Sequence, residues 1–379
     1  LFPYTTLFRS GDAAYSIPYD EAVALIPEEH RELGVTCIDC HETEDNSVRY
    51  SDLMADGLQR INAPETLEGK ALNDASCGQC HSTYTIPRDA DNQATGLFLP
   101  WDGGEVDDIS VENIIETIEA DPANAEFTQE LTGLRLGYIR HPEYELFTRG
   151  DIHHRNGVSC VDCHQPFKIR GGEKVSDHNV MSPLNDEMRA CRSCHPGQSV
   201  EFLRESVFEV QDRFVGALLN SGYQVVANAQ LIRAVNESDM DLEGEQAAER
   251  YAEAIDAYKQ AFYRVAYLAG ENSVGFHNPP EAFRILNDAQ AFSMRADGIL
   301  RSMLGEAGIE VPAEVDLQLR TYIEDRGIRR QGFDPDQEFR DPRGIAEQLW
   351  SDNLQRLREG GAGEQDEDPT RPPIEDVPL

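Results

Sequence analysis

The sequence predicts a mainly α fold: loops and short helices in the first half, followed by long C-terminal helices. Three observations carry the prediction. Apolar residues at Val200, Leu203, Val207, Val210 and Phe214, and again at Tyr251, Ile255, Tyr258, Phe262, Val265 and Ala269, alternate steps of three and four, the spacing of a coiled helical seam. Pro279 and Pro280 suit the first turn of a further helix, which runs through Phe283, Leu286 and Phe292 to about Leu304. The first half lacks such stripes and instead carries all eight cysteines in one repeated pattern.

That pattern is "CIDCH" at 37–41, "CGQCH" at 77–81, "CVDCH" at 160–164 and "CRSCH" at 191–195, with no cysteine left over. C-x-x-C-H is the attachment signature of c-type haem. Each thiol forms a thioether to a haem vinyl group, and the adjacent histidine is thereby aimed at the iron. Zinc ribbons also use C-x-x-C pairs, but they do not need a histidine after every pair. A disulfide scaffold would leave the histidines unexplained. The residues therefore predict a multihaem cytochrome c with four haem c groups on Cys37 and Cys40, Cys77 and Cys80, Cys160 and Cys163, and Cys191 and Cys194. Its proximal iron ligands are His41, His81, His164 and His195. Four macrocycles supply much of the buried apolar surface, so little strand is expected around them. Thioether attachment takes place outside the bacterial cytoplasm, which predicts a periplasmic protein and a signal peptide that is not among these residues.

Composition narrows the partners. Seventy Asp and Glu against 33 Lys and Arg give a net charge of −37, which excludes nucleic acid and argues against an anionic membrane surface. The only lysines are Lys70, Lys168, Lys174 and Lys259, and an acidic, lysine-poor chain suits a saline habitat. No apolar run approaches the roughly 20 residues of a membrane span. The opening "LFPYTTLFRS" reads as a cloning scar over 1–10, with native sequence starting near Gly11 and more missing before it. The multihaem region is then 11–197, the long-helix scaffold and dimerisation region 198–360, and the Pro-, Gly- and acid-rich 361–379 a disordered tail.

A second protein ligand closes a haem to substrate, whereas an open position permits chemistry. Of the ten histidines, His30, His141, His153, His154, His178 and His277 remain as candidates for four sixth positions. The runs "RHPEYELFTRGDIHHRNGVSCVDCHQP", "KVSDHNVMSPL", "ENSVGFHNPPEAFRIL" and "PWDGGEVDDISVENI" resemble the pentahaem, ammonia-forming cytochrome c nitrite reductases, in order from about residue 12 to about 330. The resemblance implies that His153, His178 and His277 are distal ligands, leaving His30 and His154 as ordinary histidines. It also implies that Tyr84, three residues after a motif histidine, and His141 line the nitrite pocket. A pocket for a six-electron, multi-proton reduction needs such hydrogen-bond donors beside the iron. It further implies a homodimer built on the long helices. The electron donor would be a membrane quinol-oxidising or a soluble multihaem cytochrome.

Two departures from the family stand out. The family's substrate haem is attached through C-x-x-C-K with lysine as proximal ligand, and no cysteine here remains for it; a fifth haem is expected in the full-length protein, and this chain alone is expected to be inactive. Many members also hold calcium beside the pocket through a glutamate and a K-x-Q run, where this chain has Thr83, Tyr138 and Arg140. Calcium prefers oxygen ligands with carboxylates among them, and a guanidinium repels it. No calcium is expected, with Arg140 in its place. Three function classes share these residues: an ammonia-forming nitrite reductase, the catalytic part of an octahaem nitrite or hydroxylamine enzyme, and a tetrahaem electron carrier without an active site.

Overall fold

Short elements separated by loops dominate the first half of the computed structural model, which describes residues 35–103 and 109–318. The expected scar at 1–10, His30 and the tail at 361–379 lie outside the described residues. The helices are α1 (Cys37–Cys40), α2 (Asp52–Arg60), α3 (Gly69–Gly78), α4 (Val111–Glu119), α5 (Glu143–Thr148), α6 (Ile152–Arg155), α7 (Cys160–His164) and α8 (Arg189–Arg192). Two antiparallel hairpins interrupt them. The first pairs β1 (Phe127–Thr128) with β2 (Arg135–Leu136), and the second pairs β3 (Phe167–Arg170) with β4 (Glu173–Ser176), placing Lys168 opposite Val175.

Three long helices follow: α9 (Val200–Asn236), α10 (Glu245–Ala269) and α11 (Pro279–Glu306). Their starts are written locally. The Ser199 side chain caps α9 by accepting from Phe202 N at 3.1 Å. Asn278 caps α11 ahead of the Pro279–Pro280 first turn, where a missing N–H costs nothing.

The described residues form two apolar cores. One joins Met54, Trp101, Ile114, Ile115, Ile118 and Tyr144 of the short-element region to Phe214, Tyr263, Tyr267 and Leu286 of the long helices. In α4, Val111, Ile114, Ile115 and Ile118 fall on one buried face, each isoleucine contributing about 1.5–3 kcal/mol. The second core lies among the long helices, from Val225, Ile232 and Val235 of α9 to Ala254, Ala257, Tyr258 and Ala261 of α10 and Ala296, Leu300 and Leu304 of α11.

The helical stripes are present but turned. In α9 only Val207 and Phe214 of the expected stripe are buried, and the densest burial comes later, from Ser221 to Val235. In α10 Tyr258 of the expected stripe is fully buried, together with the small residues Ala254, Ala257 and Ala261, while Tyr251, Ile255, Phe262 and Val265 flank the core half-buried and Ala269 is exposed. A stripe read from large apolar residues misses this, because alanines are what let neighbouring backbones approach closely.

Candidate haem-binding and active site

Each C-x-x-C-H segment forms one tight turn that gathers its two thiols and its histidine. The histidine amide donates back to the carbonyl of the first cysteine at 2.9 Å in His41, 3.0 Å in His81 and 2.9 Å in His195, and His164 closes α7 in the same way. Two motifs carry a capping box. Thr36 N and Oγ1 donate to Asp39 Oδ2 at 2.6 and 2.9 Å, and Ser159 N and Oγ donate to Asp162 Oδ2 at 2.8 and 2.9 Å. The residues between the cysteines are therefore structural: in "CIDC" and "CVDC" the aspartate starts the turn. Gly78 of "CGQC" is needed for space, since a Cβ there would lie 2.6 Å from Tyr144. No disulfide joins any of the eight cysteines, and among the described residues no three His, Cys, Asp or Glu side chains gather as a metal-ion cage. The four-ligand convergence of a zinc ribbon is thus not found there.

The motifs succeed one another in space as they do in sequence. Gln79 bridges the first two, its Nε2 donating to Asp39 O at 2.9 Å and its Oε1 accepting from Ser51 N at 2.9 Å. Asp74 of α3 accepts from Cys160 N at 2.8 Å, and Lys70 donates to Asp162 at 2.9 Å, joining the second to the third. Helix α7 packs on α8, and burial together with the nearby Cys191 thiol pushes the Cys163 thiol up to about 12.

The histidines sort by what holds their Nδ1 atoms. Nδ1 donates to a backbone carbonyl in His41 (Asn46, 3.0 Å), His164 (Met181, 3.0 Å) and His178 (Ser176, 3.3 Å). It meets a carboxylate in His153 (Asp151, 3.1 Å) and His277 (Glu271, 2.5 Å). An acceptor-only partner puts the proton on Nδ1 and leaves the Nε2 lone pair for a metal. Burial, the largest single influence, pushes Asp151 and Glu271 up, but the histidine hydrogen bonds and charge together with backbone N–H donors outweigh it and hold both carboxyls below their usual range. Burial lowers His164, favouring the neutral ring that ligates. Asp151 and Glu271 were not singled out in the sequence.

Three histidine pairs stand at similar spacing: His41–His178 at 6.1 Å between ring centroids, His164–His277 at 6.3 Å and His81–His141 at 6.2 Å. Two imidazole nitrogens each about 2 Å from one metal ion are about 4 Å apart, with ring centroids about 6 Å apart. In the first two pairs the Nδ1 atoms go to different acceptors, as ligands facing each other across an iron require. The third pair differs: both Nδ1 atoms turn to Glu143, at 3.4 Å from His81 and 4.0 Å from His141. These rings share a carboxylate. The Glu143 hydrogen bond raises His81, and Asn272 N donates to the same carboxylate at 3.0 Å. His153 meets the ring of Phe276 at 6.3 Å, and the described contacts pair neither His153 nor His195 with a second histidine.

Around Arg140 the structure gathers Tyr84, Tyr138 and Glu126. Its guanidinium donates to both oxygens of Glu126, at 2.9 and 2.7 Å, and to Tyr84 O at 3.2 Å. It lies between two rings, 4.8 Å from the centroid of Tyr84 and 4.7 Å from that of Tyr138. Burial opposes its charge, yet Glu126 outweighs burial and holds the group fully protonated. Arg140 N donates to Thr83 Oγ1 at 3.1 Å. Below Thr83 lies Glu145, wholly buried, whose Oε1 accepts from Thr83 N at 2.8 Å and Trp101 Nε1 at 3.1 Å. Burial pushes its carboxyl up to about 8. Next to Arg140, His141 has φ of 47°, a left-handed conformation that a non-glycine residue adopts at some cost. Thr83, Tyr84, Tyr138, Arg140 and His141 thus form one wall, although more than fifty residues separate its two strands of sequence. Glu126 and Glu145 belong to it and were missed, since neither lies in a motif.

A mainly helical chain with four C-x-x-C-H turns ahead of long C-terminal helices has the fold of the multihaem c-type cytochromes. The family model described as cytochrome c552 matches residues 4–356, and the chain belongs to that family. It is 30% identical over 279 residues to cytochrome c-552 of Parabacteroides distasonis, covering 72% of this chain and 52% of the relative. To the cytochrome c nitrite reductase subunit NrfA of Nitratidesulfovibrio vulgaris it is 28% identical over 300 residues, covering 76% and 56%. The cytochrome c nitrite reductase of Desulfovibrio desulfuricans, described with two calcium sites in its catalytic subunit, superposes with a TM-score of 0.67 at 26% identity, covering 81% of this chain and 64% of that one. The chain spans about half the length of the curated relatives it matches.

Proposed function

We propose that this chain supplies electrons to, and forms one wall of, the nitrite pocket of a periplasmic, ammonia-forming nitrite reductase. The observation that carries the reading is that Tyr84 packs on the Arg140 guanidinium while the ring of the adjacent His141 stands 6.2 Å from that of His81, in the second haem-attachment turn. A pure electron carrier has no use for a strained histidine and a tyrosine held by a buried ion pair.

Haem c fits the residues present: paired thiols beside each proximal histidine, and Nε2 atoms left free by acceptor-bound Nδ1 atoms. His41 with His178, and His164 with His277, would hold two of the haems. His81 and His195 are the proximal ligands of the others, and His153 is the further distal ligand. Bound haems would supply one-electron carriers in a row. The protein's own residues do the rest. Tyr84 and His141 offer hydrogen bonds and protons to a bound oxyanion, and Glu143 and Asn272 set the orientation of His141. Arg140 fills the place that calcium takes in many relatives and keeps a positive charge near the anionic substrate, which makes the pocket independent of calcium. The half-buried flank of α10 suits a homodimer contact.

All eight cysteines serve the four motifs, so a lysine-ligated fifth haem would need cysteines beyond these 379 residues. Matured as these residues alone, the chain is expected to exchange electrons without reducing nitrite. In a nitrite-reducing form, Tyr84→Phe and His141→Ala are expected to lower ammonium formation at least tenfold with haem content unchanged, about 1.4 kcal/mol or more in the barrier. Unchanged ammonium formation in both variants would refute the pocket assignment.

A further inference from the structure

Glu271 is the most elaborately held carboxylate outside the pocket wall. Its side chain is 0% exposed. Four donors reach it: Ser273 N at 2.9 Å, Ser273 Oγ at 2.8 Å, Gly275 N at 3.0 Å and His277 Nδ1 at 2.5 Å. The loop that delivers them is contorted. Val274 and Gly275 sit at φ of 57° and 80°, and a Cβ at Gly275 would lie 2.5 Å from Phe214. A β-branched residue at positive φ is an outlier, so the backbone is held in this form by what the carboxylate accepts. An acceptor surrounded only by donors is a built site for a negative charge.

The two facing histidine pairs differ in what backs their rings. His41 and His178 both rest on backbone carbonyls, whereas His164 rests on one and His277 on Glu271. A carboxylate behind a ligand histidine makes the ring more basic and favours the oxidised, more positive metal. Burial works the other way: His277 is only 22% exposed, and a low dielectric disfavours the net charge of an oxidised haem. A haem placed there with no anion nearby would hold its electron too tightly to pass it on.

We propose that Glu271 is a positioning residue that sets the reduction potential of the haem between His164 and His277, lowering it against the effect of burial. The step it governs is a one-electron exchange with the neighbouring haems of this chain, in which the iron is reduced and reoxidised and no bond forms or breaks. The proposal rests on His277 being a haem ligand, as argued above.

The test is a potentiometric titration with dithionite, followed optically and by electron paramagnetic resonance, on the chain carrying its haems. Glu271→Gln keeps the shape and an acceptor oxygen but removes the charge. One haem is expected to become easier to reduce by about tenfold in its equilibrium, about 59 mV for a one-electron couple, while staying low-spin. Ser273→Ala leaves the charge but removes the hydroxyl that donates to the other carboxylate oxygen and accepts from His277 N, so less of the charge is neutralised and the same potential is expected to fall. Glu271→Asp keeps the charge and should stay closer to the parent than Glu271→Gln. Equal shifts in the Asp and Gln variants, or a Ser273→Ala variant whose potential rises or stays put, would overturn the proposal. His277→Ala separates the two claims: conversion of one haem to high-spin upholds the ligand, and an unchanged spectrum refutes the ligand reading itself.

Discussion

Arg140→Gln is expected to destabilise the protein by about 3–5 kcal/mol, the cost of breaking a buried ion pair from one side. The figure follows from the two burials: the Glu126 side chain is 1% exposed and that of Arg140 22%, so removing the guanidinium leaves a carboxylate with little access to water. Loss of the contacts with Tyr84 and Tyr138 adds about 0.5–1 kcal/mol each. The assay is urea unfolding with and without a calcium chelator, reading the midpoint and slope of each curve. The chelator is expected to leave the parent curve unmoved. Combining Arg140→Met with Glu126→Leu should recover most of the loss, because apolar replacement of a whole buried pair is often close to neutral. A loss below about 1 kcal/mol for Arg140→Gln, typical of a surface pair, would refute the clamp, and a chelator-sensitive curve would restore calcium to this place.

Three further outcomes are expected. Glu145 has its folded pKa raised from the ordinary carboxyl value to about 8, so the folded state holds a proton that the unfolded state has released between about pH 4.5 and 8. Stability should therefore fall as pH rises through that window, and Glu145→Gln should flatten the slope by about 1.4 kcal/mol per pH unit; parallel pH profiles for the two proteins would show that the carboxyl is ionised. Gly78→Ala, whose Cβ meets the Tyr144 ring at 2.6 Å, is expected to cost about 1–3 kcal/mol and to lower occupancy of the second haem turn, read from the haem-to-protein ratio. Asp151→Ala should weaken the hold on His153 and add a high-spin signal to the oxidised spectrum, whereas an unchanged spectrum would remove His153 from the ligands.

The fold was legible where chemistry or periodicity is written locally. Four C-x-x-C-H turns need only five consecutive residues each, and the long helices declare their starts at Ser199 and Pro279. The burial face of α10 was legible only at Tyr258, because Ala254, Ala257 and Ala261 carry little hydropathy and the larger Tyr251 and Phe262 draw the eye to the flank. At the proposed site, Tyr84, His141 and Arg140 were named through the resemblance of their runs to the family. Glu126, Glu145 and Glu271 were not: in a chain with 70 acidic residues, only burial distinguishes a carboxylate that anchors a loop from one that faces water. The pairing of His41 with His178 and of His164 with His277 likewise waits on the fold, since more than a hundred residues separate the members of each pair.

The central claim is that all four turns carry covalent haem, and the intact mass of the chain matured in a haem-ligating periplasm tests it most directly. The mass is expected to exceed that of the polypeptide by four haems, with no cysteine left to alkylate among the eight. Fewer than four haems, or thiols that still react, would contradict the account at its base.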